Sequence, residues 1–397
     1  MKIKDLKEGK VNVNGWVDNI RNLQYVIFLI LRDSTGKIQI TIEKEGNEEL
    51  VKVVEDLTNE STIKVSGTFN KNDHVKLGGV EIIPDEIVIT SRSLEELPIN
   101  IKEKEASLRE QRLDYRFLDL RREDNNKLFK IVAYLEESLR EYWNSNDYTE
   151  IHTPKISASA AESGADMFKL DYFGKKAVLS QSPQFYKQMA LASGFDRVFE
   201  IGDVYRAENS HTSYHASEIT MLDAEIAWIE DYNDVMDELE KLIQYSFKKV
   251  KEKYGEDIKE NFNIELNNFE NKFPRINFSE AKKICKEKYN YKCEIENDLE
   301  RKEEELLCKY ALEEYNSDFI FITNYPYEAR SFYVMKDEKG VTQTFDLLYR
   351  GVEITSGAQR EHRPDILANQ IKEKGIDPKL LDFYIEFFKY GCPPHGG

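Results

Sequence analysis

Between residues 8 and 96, apolar and polar positions follow the short rhythm of β-strands. Val11-Asn12-Val13-Asn14-Gly15-Trp16-Val17 alternates at its start and leads to Trp16 as a core candidate. Apolar runs at 26–31 and 38–42 follow, separated by the turn Asp33-Ser34-Thr35-Gly36, and further strand patterns occupy 63–67, 81–83 and 87–89. Residues 48–58 supply a short helix between them. Five or so strands with one inserted helix predict a small closed barrel.

Barrels of this size and strand number are of the oligonucleotide-binding type, so residues 1–96 are expected to be an OB-fold domain. The charged, Pro98-containing stretch that follows reads as a linker over 97–123. Leu128, Ile131, Leu135 and Leu139 then recur at helical spacing and predict a helix over 125–142 lying on a core. Residues 148–228 read mostly as strands and loops, and 232–254 as a helix. Within an insertion placed at about 250–315, the part from 275 onward is rich in Glu, Lys and Tyr, with helical runs such as 299–315. It reads as solvated rather than as sheet core. Phe319-Ile320-Phe321-Ile322 is a buried-strand candidate, and 378–390 reads as one long helix. The class is α+β, with a second domain over 124–397.

Length and charge narrow the function. A chain of 397 residues has room for two or three domains. A net charge of −18 argues against non-specific nucleic-acid binding, yet leaves room for a local basic groove. No stretch approaches the roughly 18 apolar residues of a membrane helix, and Met1-Lys2-Ile3-Lys4-Asp5 opens no signal-peptide pattern. A soluble, cytoplasmic protein with no membrane partner is expected. Cys285, Cys293, Cys308 and Cys392 lack the spacing of a zinc site or a disulfide framework.

Four segments concentrate chemistry. Gln181-Ser182-Pro183-Gln184-Phe185-Tyr186-Lys187-Gln188 offers an amide to orient a small zwitterion and a lysine to neutralise a carboxylate; a capped helix start is the plainer reading. Arg206 and Glu208, two apart on a strand, share a face, where Arg206 can hold a phosphate and Glu208 accept from an amine; alone, such a pair is usually an exposed ion pair. Asp346 and Glu353 can hold a divalent metal against triphosphate oxygens. Their separation of seven puts them on opposite faces of a flat strand, so the pairing requires a bulge or a turn at Arg350-Gly351. Gly391-Cys392-Pro393-Pro394-His395-Gly396-Gly397 is a rigid turn or, more plainly, a frayed end. Neither a P-loop nor a Rossmann fingerprint occurs, so any ATP use needs another scaffold.

Together these segments resemble the class II aminoacyl-tRNA synthetases of the aspartate group, in its archaeal and eukaryotic branch. The resemblance covers almost the whole chain. Tyr148-Thr149-Glu150-Ile151-His152-Thr153-Pro154 is similar to the end of motif one, whose proline lies at the family's dimer interface. The stretch from Phe195 to Glu225, with Tyr205-Arg206-Ala207-Glu208 and His215-Ala216-Ser217-Glu218, is similar to motif two.

The resemblance implies an antiparallel-sheet catalytic domain that forms aspartyl-adenylate from aspartate and ATP and passes the aspartyl group to tRNA, working as a homodimer. It implies that Arg206 contacts the α-phosphate, that Glu208, His215 and Ser356 help hold ATP, and that Asp346 and Glu353 hold Mg²⁺. Gln181, Lys187, Asp223 and Arg360 would form the aspartate pocket, with Glu162 and Ser163 on a loop that closes over it. In the barrel, Phe28, Gln39 and Glu81 would stack on or bond to anticodon bases; a core role for Phe28 is the alternative.

Several positions depart from the family pattern. Tyr214 stands where arginine is common, Ala358 where glycine is common, and Arg330 where lysine is frequent. The paired glycines usual after the first barrel turn are absent near Asn22-Leu23-Gln24-Tyr25. Asp18 replaces a tryptophan found in some enzymes specific for aspartate tRNA, which favours acceptance of asparagine tRNA as well. Motif three, expected at or just after Gly397, is missing from the sequence, which predicts an incomplete ATP site. A non-catalytic RNA-binding relative and an asparagine-specific synthetase are the competing expectations.

Overall fold

The computed structural model describes residues 1–103, 107–158, 167–208 and 216–397. They divide into two compact units, Met1–Arg122 and Glu123–Gly397.

In the first unit, strands β1 (Gly9–Asn22), β2 (Val26–Arg32), β3 (Lys37–Glu43), β4 (Thr62–Lys71) and β5 (Val80–Ser91) close into a barrel in the order β1-β2-β3-β5-β4, with α1 (Glu48–Glu55) between β3 and β4. The period-two pattern explains the closure. Val11, Val13, Val17, Ile27, Leu29, Leu31, Ile38, Ile40 and Ile42 all point inward and form one core with Ile63, Val65, Ile82 and Ile87.

The barrel departs from the sequence pattern in two places. Trp16 sits on the outer face, between the guanidinium groups of Arg32 and Arg121 at 5.9 and 5.8 Å from its ring centroid. Those arginines also hold the buried Glu60, at 2.8 and 3.1 Å, so the tryptophan is fixed by charge stacking rather than by the core. The strands expected at 81–83 and 87–89 are one continuous strand, β5, which bends where its register with β4 shifts at Ser66/Gly67.

Gly67 permits that bend, because a Cβ there would lie 2.3 Å from the Ile83 carbonyl oxygen. Gly67→Ala is therefore expected to destabilise the barrel by about 1–3 kcal/mol, read as a fall in its denaturant midpoint. An unchanged midpoint would show that β5 can move away without cost.

The second unit begins with short helices' successor α4: after α2 (Arg109–Asp114) and α3 (Arg116–Asp119) of the first unit, α4 (Glu123–Ser145) packs along α6 (Tyr232–Phe262). Two four-stranded sheets form its centre. One has the order β16 (His395–Gly396), β11 (Glu218–Ala227), β10 (Arg197–Tyr205), β6 (Thr149–Glu150). The other has β12 (Arg275–Asn277), β13 (Phe319–Thr323), β14 (Thr344–Tyr349), β15 (Val352–Ala358). Apart from the parallel pairs β6–β10 and β12–β13, the pairings are antiparallel. Ala358 and Gly397 exchange both backbone hydrogen bonds, at 3.0 and 3.1 Å, and join the two sheets. A small sheet of β7 (Ile156–Ser157), β9 (Lys175–Leu179) and β8 (Lys169–Tyr172) precedes α5 (Gln184–Ala192).

The segment expected to be a solvated insertion belongs to the core. Ile276, Phe278, Ala281 and Cys285 of β12 and α7 (Phe278–Glu287), with Leu307, Cys308 and Ala311 of α8 (Arg301–Tyr315), pack on Ile320, Ile322 and Leu348. The apolar positions have helical spacing, but the intervening lysines and glutamates dilute them in any average over the segment. The long helix expected over 378–390 is also broken. After α9 (Pro364–Glu373), a 3-10 turn over Pro378–Leu381 leads to α10 (Asp382–Phe388), and Leu381, at φ −118° and ψ 18°, departs from helical geometry between them. Among the described residues no helix is long and apolar enough to cross a membrane.

Candidate active site

The sheet pleat and the start of α5 direct charged side chains into one cavity of about 1460 Å³ in the second unit. Gln181, Lys187, Arg206, Asp223, Glu353, Ser356 and Arg360 all line it. Seven residues spread over 180 positions of sequence are thus brought to one wall system. Glu162, Ser163, Tyr214 and His215 lie outside the described residues.

At one end, Lys187 and Arg360 are nearly inaccessible, at 3% and 5% exposure. Both cations of the expected aspartate pocket are matched by carboxylates of the protein itself. Lys187 Nζ contacts Asp223 and lies 2.9 Å from Glu225 Oε2. Arg360 reaches Glu225 through Nε at 2.9 Å and Nη2 at 3.3 Å, and donates to the Gly397 carbonyl at 2.7 Å. Burial alone would push the Glu225 carboxyl up, but Arg360 and then Lys187 overcome it and hold it at about 2.

Glu225, which also lines the cavity, is not among the residues that the sequence motifs mark. The available signal was parity: on β11, Asp223 and Glu225 are two apart and share a face, opposite Glu200 and Val198 of β10.

Arg206 and Glu208 do not share a strand face as expected, because β10 ends at Tyr205. The Arg206 amide still donates to Ser217 O at 3.0 Å, and the Glu208 amide folds back to Arg206 O at 2.9 Å, which makes a turn. Arg206 lines the cavity, and among the described residues its buried Nε has no hydrogen-bond partner. A buried donor without an acceptor is costly, and an anionic oxygen from a ligand would satisfy it.

Arg350 (φ 48°) and Gly351 (φ 88°) form the turn that the Asp346–Glu353 pairing requires. β14 and β15 fold into a hairpin that sets Asp346 opposite Ser356 and Leu348 opposite Glu353, with a register shift at Leu347/Leu348. Asp346 is gripped by the Arg330 fork at 3.0 and 2.5 Å. Glu353 opens to the cavity, yet the protein mass around it and then the Asp346 charge push its carboxyl up to about 8. Burial, with Asp346 and Asp298 adding to it, raises Glu304 of α8 to about 7.

This surplus of carboxyl groups over cations suits a divalent ion. Among the described residues no three Asp, Glu, His or Cys side chains are grouped to hold a metal by themselves. An ion beside Asp346 and Glu353 would share Asp346 with the Arg330 fork and would take its remaining ligands from phosphate and water, as Mg²⁺ commonly does.

In the first unit, Phe28 alternates with the buried Ile27 and Leu29, which puts it on the barrel's outer face and removes the core alternative. Gln39 and Glu81 are paired across β3 and β5 on that face. Glu81 accepts from Thr41 Oγ1 and from Asn72 Nδ2 at 2.6 Å, and Gln39 Nε2 donates to Thr41 Oγ1 at 3.0 Å. An aromatic ring beside fixed donors and acceptors is an arrangement that reads unstacked bases.

A closed five-stranded barrel of the oligonucleotide-binding type, followed by an antiparallel-sheet domain whose cavity gathers arginine, lysine and acidic side chains, is the arrangement of an RNA-directed activating enzyme. Residues 108–397 match the family of class II tRNA synthetases (D, K and N), and residues 11–90 match the OB-fold nucleic acid binding domain. The chain belongs to the class II tRNA synthetases of that group.

Among its relatives, an aspartate–tRNA(Asp) ligase of Pyrococcus horikoshii is 43% identical, covering 99% of this chain and 90% of its own length. An aspartate–tRNA(Asp/Asn) ligase of Aeropyrum pernix is 41% identical, covering 99% and 89%. The crystal structure of asparaginyl-tRNA synthetase from Pyrococcus horikoshii with asparaginyl-adenylate superposes with a TM-score of 0.91 at 32% identity, over 100% of this chain and 91% of that one.

Proposed function

We propose that this chain attaches aspartate to tRNA in an ATP-dependent reaction that passes through aspartyl-adenylate. The observation that carries this reading is that Lys187, Arg360 and Asp223 share one cavity with Arg206 and Ser356. Gln181 and Asp223 orient the amino acid, Asp223 facing its ammonium group. Lys187 and Arg360 face its side-chain carboxylate, with Glu225 holding both cations in place. The α-carboxylate of aspartate attacks the α-phosphorus of ATP, pyrophosphate leaves, and Arg206 meets the charge that develops on the α-phosphate.

Mg²⁺, held by Asp346 and Glu353, would supply neutralisation of triphosphate charge. Glu208, Ser356 and His215 are assigned to ATP, and Glu162 and Ser163 to closure over the amino acid. In the second step the terminal ribose hydroxyl of tRNA attacks the activated carbonyl and AMP leaves. The exposed stripe Leu128, Phe129 and Val132 on α4 supports a homodimer, and the working compartment is the cytoplasm.

An amino-acid panel in ATP–pyrophosphate exchange, using the full-length protein, tests the reaction. Exchange driven by aspartate is expected, and exchange driven by asparagine but not aspartate would reassign the enzyme. The relative that serves both aspartate and asparagine tRNAs motivates a second arm with both tRNAs, in which charging of each is expected. Phe28, Gln39 and Glu81 are assigned to the anticodon. Phe28→Ala is expected to weaken tRNA binding by about 1–3 kcal/mol at fixed salt, while exchange without tRNA is unchanged. Undiminished tRNA affinity in that variant would remove Phe28 from the RNA face.

A further inference from the structure

Behind the amino-acid end of the cavity runs a buried polar chain to which the proposed chemistry gives no role. Gln188 and His395 are both 0% exposed. The Gln188 side-chain oxygen accepts from Gln184 Nε2 at 2.8 Å and from Tyr384 Oη at 2.7 Å. Its amide nitrogen lies 2.8 Å from His395 Nε2.

The other ring nitrogen of His395 lies 2.8 Å from the Pro393 carbonyl, which can only accept, so Nδ1 carries the proton and Nε2 presents a lone pair to Gln188. The tautomer is thereby fixed, and the ring also stacks on Phe388 with centroids 6.0 Å apart. Burial agrees with a neutral ring, holding the imidazole down at about 4.

The ends of this chain decide its meaning. Gln188 follows Lys187 on α5, and the His395 carbonyl accepts from the Arg360 amide at 2.9 Å. The two cations therefore sit on separate elements, a helix and a strand edge, whose backbones are tied through the Gln188–His395 bond. Glu225 connects the same cations from the cavity side. A cation pair meant to grip one small carboxylate needs its spacing held to a fraction of an ångström, and a second tie behind the pocket supplies that rigidity.

We infer that Gln188 and His395 are positioning residues that set the spacing of Lys187 and Arg360, and hence the affinity for the dicarboxylic amino acid. The inference rests on the aspartate reading above.

The test is aspartate and ATP binding by calorimetry, with KM values from pyrophosphate exchange, on the full-length protein. His395→Leu removes the acceptor, and His395→Gln restores an amide oxygen within reach of Gln188. His395→Leu is expected to weaken aspartate binding about tenfold with ATP binding unchanged, and His395→Gln to recover most of it. Aspartate affinity unchanged in His395→Leu, equal loss of both ligands, or no recovery in His395→Gln each overturns the inference.

If His395→Leu yields no folded protein, Tyr384→Phe takes its place, because it deletes one donor to Gln188 without opening a large cavity. A several-fold loss confined to aspartate is then expected, and no loss overturns the inference. Wild-type protein that binds no aspartate overturns the proposed reaction and this inference with it. Wild-type binding that all the variants match overturns the inference alone.

Discussion

Replacing Arg206 by alanine is expected to lower aspartate-dependent pyrophosphate exchange by about two to three orders of magnitude and to leave the unfolding midpoint unchanged. The two halves of this expectation have one origin. Among the described residues the buried Arg206 Nε has no hydrogen-bond partner, so truncation gives up no hydrogen bond at that atom. What truncation takes away is a cation lining the cavity, the one that in the proposed reaction meets the charge developing on the α-phosphate. Exchange rates over a range of ATP concentrations, paired with thermal unfolding of the same preparation, check both halves. A variant that loses stability in proportion to activity would show that Arg206 is structural.

Arg360→Met should behave in the opposite way and fail through stability. Arg360 and Glu225 are both almost wholly buried and make two side-chain contacts, so removing the guanidinium leaves a carboxylate with Lys187 as its remaining cation. Breaking such a pair costs about 3–5 kcal/mol, visible as a large fall in the denaturant midpoint at neutral pH.

The pH dependence has a definite sign. With its folded value held at about 2, Glu225 binds protons less readily folded than unfolded, so its contribution is complete above the ordinary carboxylate range. It is lost as pH falls through about 2. In Arg360→Met the carboxyl rises and the loss begins at higher pH, so the gap between variant and wild type should be widest near neutrality. Replacing Glu225 by leucine in the same chain should recover part of the midpoint by removing the stranded charge. A single variant that unfolds like wild type at every pH would mean that water enters and solvates Glu225.

Much of the barrel could be read from the chain because alternation is a local signal. Val11, Val13, Ile27, Leu29, Ile38 and Ile40 each announce their face through their neighbours, and the same rule places Phe28 outside. Trp16 was misplaced because its partners, Arg32 and Arg121, are remote in sequence, and no pattern around residue 16 reports them. The site residues were legible as residue types in a familiar order, while their relations were not. That Lys187 and Arg360 are already matched by Asp223 and Glu225 depends on the β10–β11 register and on where α5 docks, neither of which is written in any single segment. Arg206 and Glu208 look like strand neighbours in sequence, but the strand stops one residue earlier.

The α7–α8 segment carries a consequence for any attempt to shorten this protein. Its polar composition invites excision, yet Ile320, Ile322 and Leu348 depend on it for their cover, and Glu304 projects from it toward Glu353. Cutting it away would strip the roof from one sheet and unsettle the charge balance around Glu353 and Asp346. A minimal version would need a replacement cap with an oily underside and an acid at the same height.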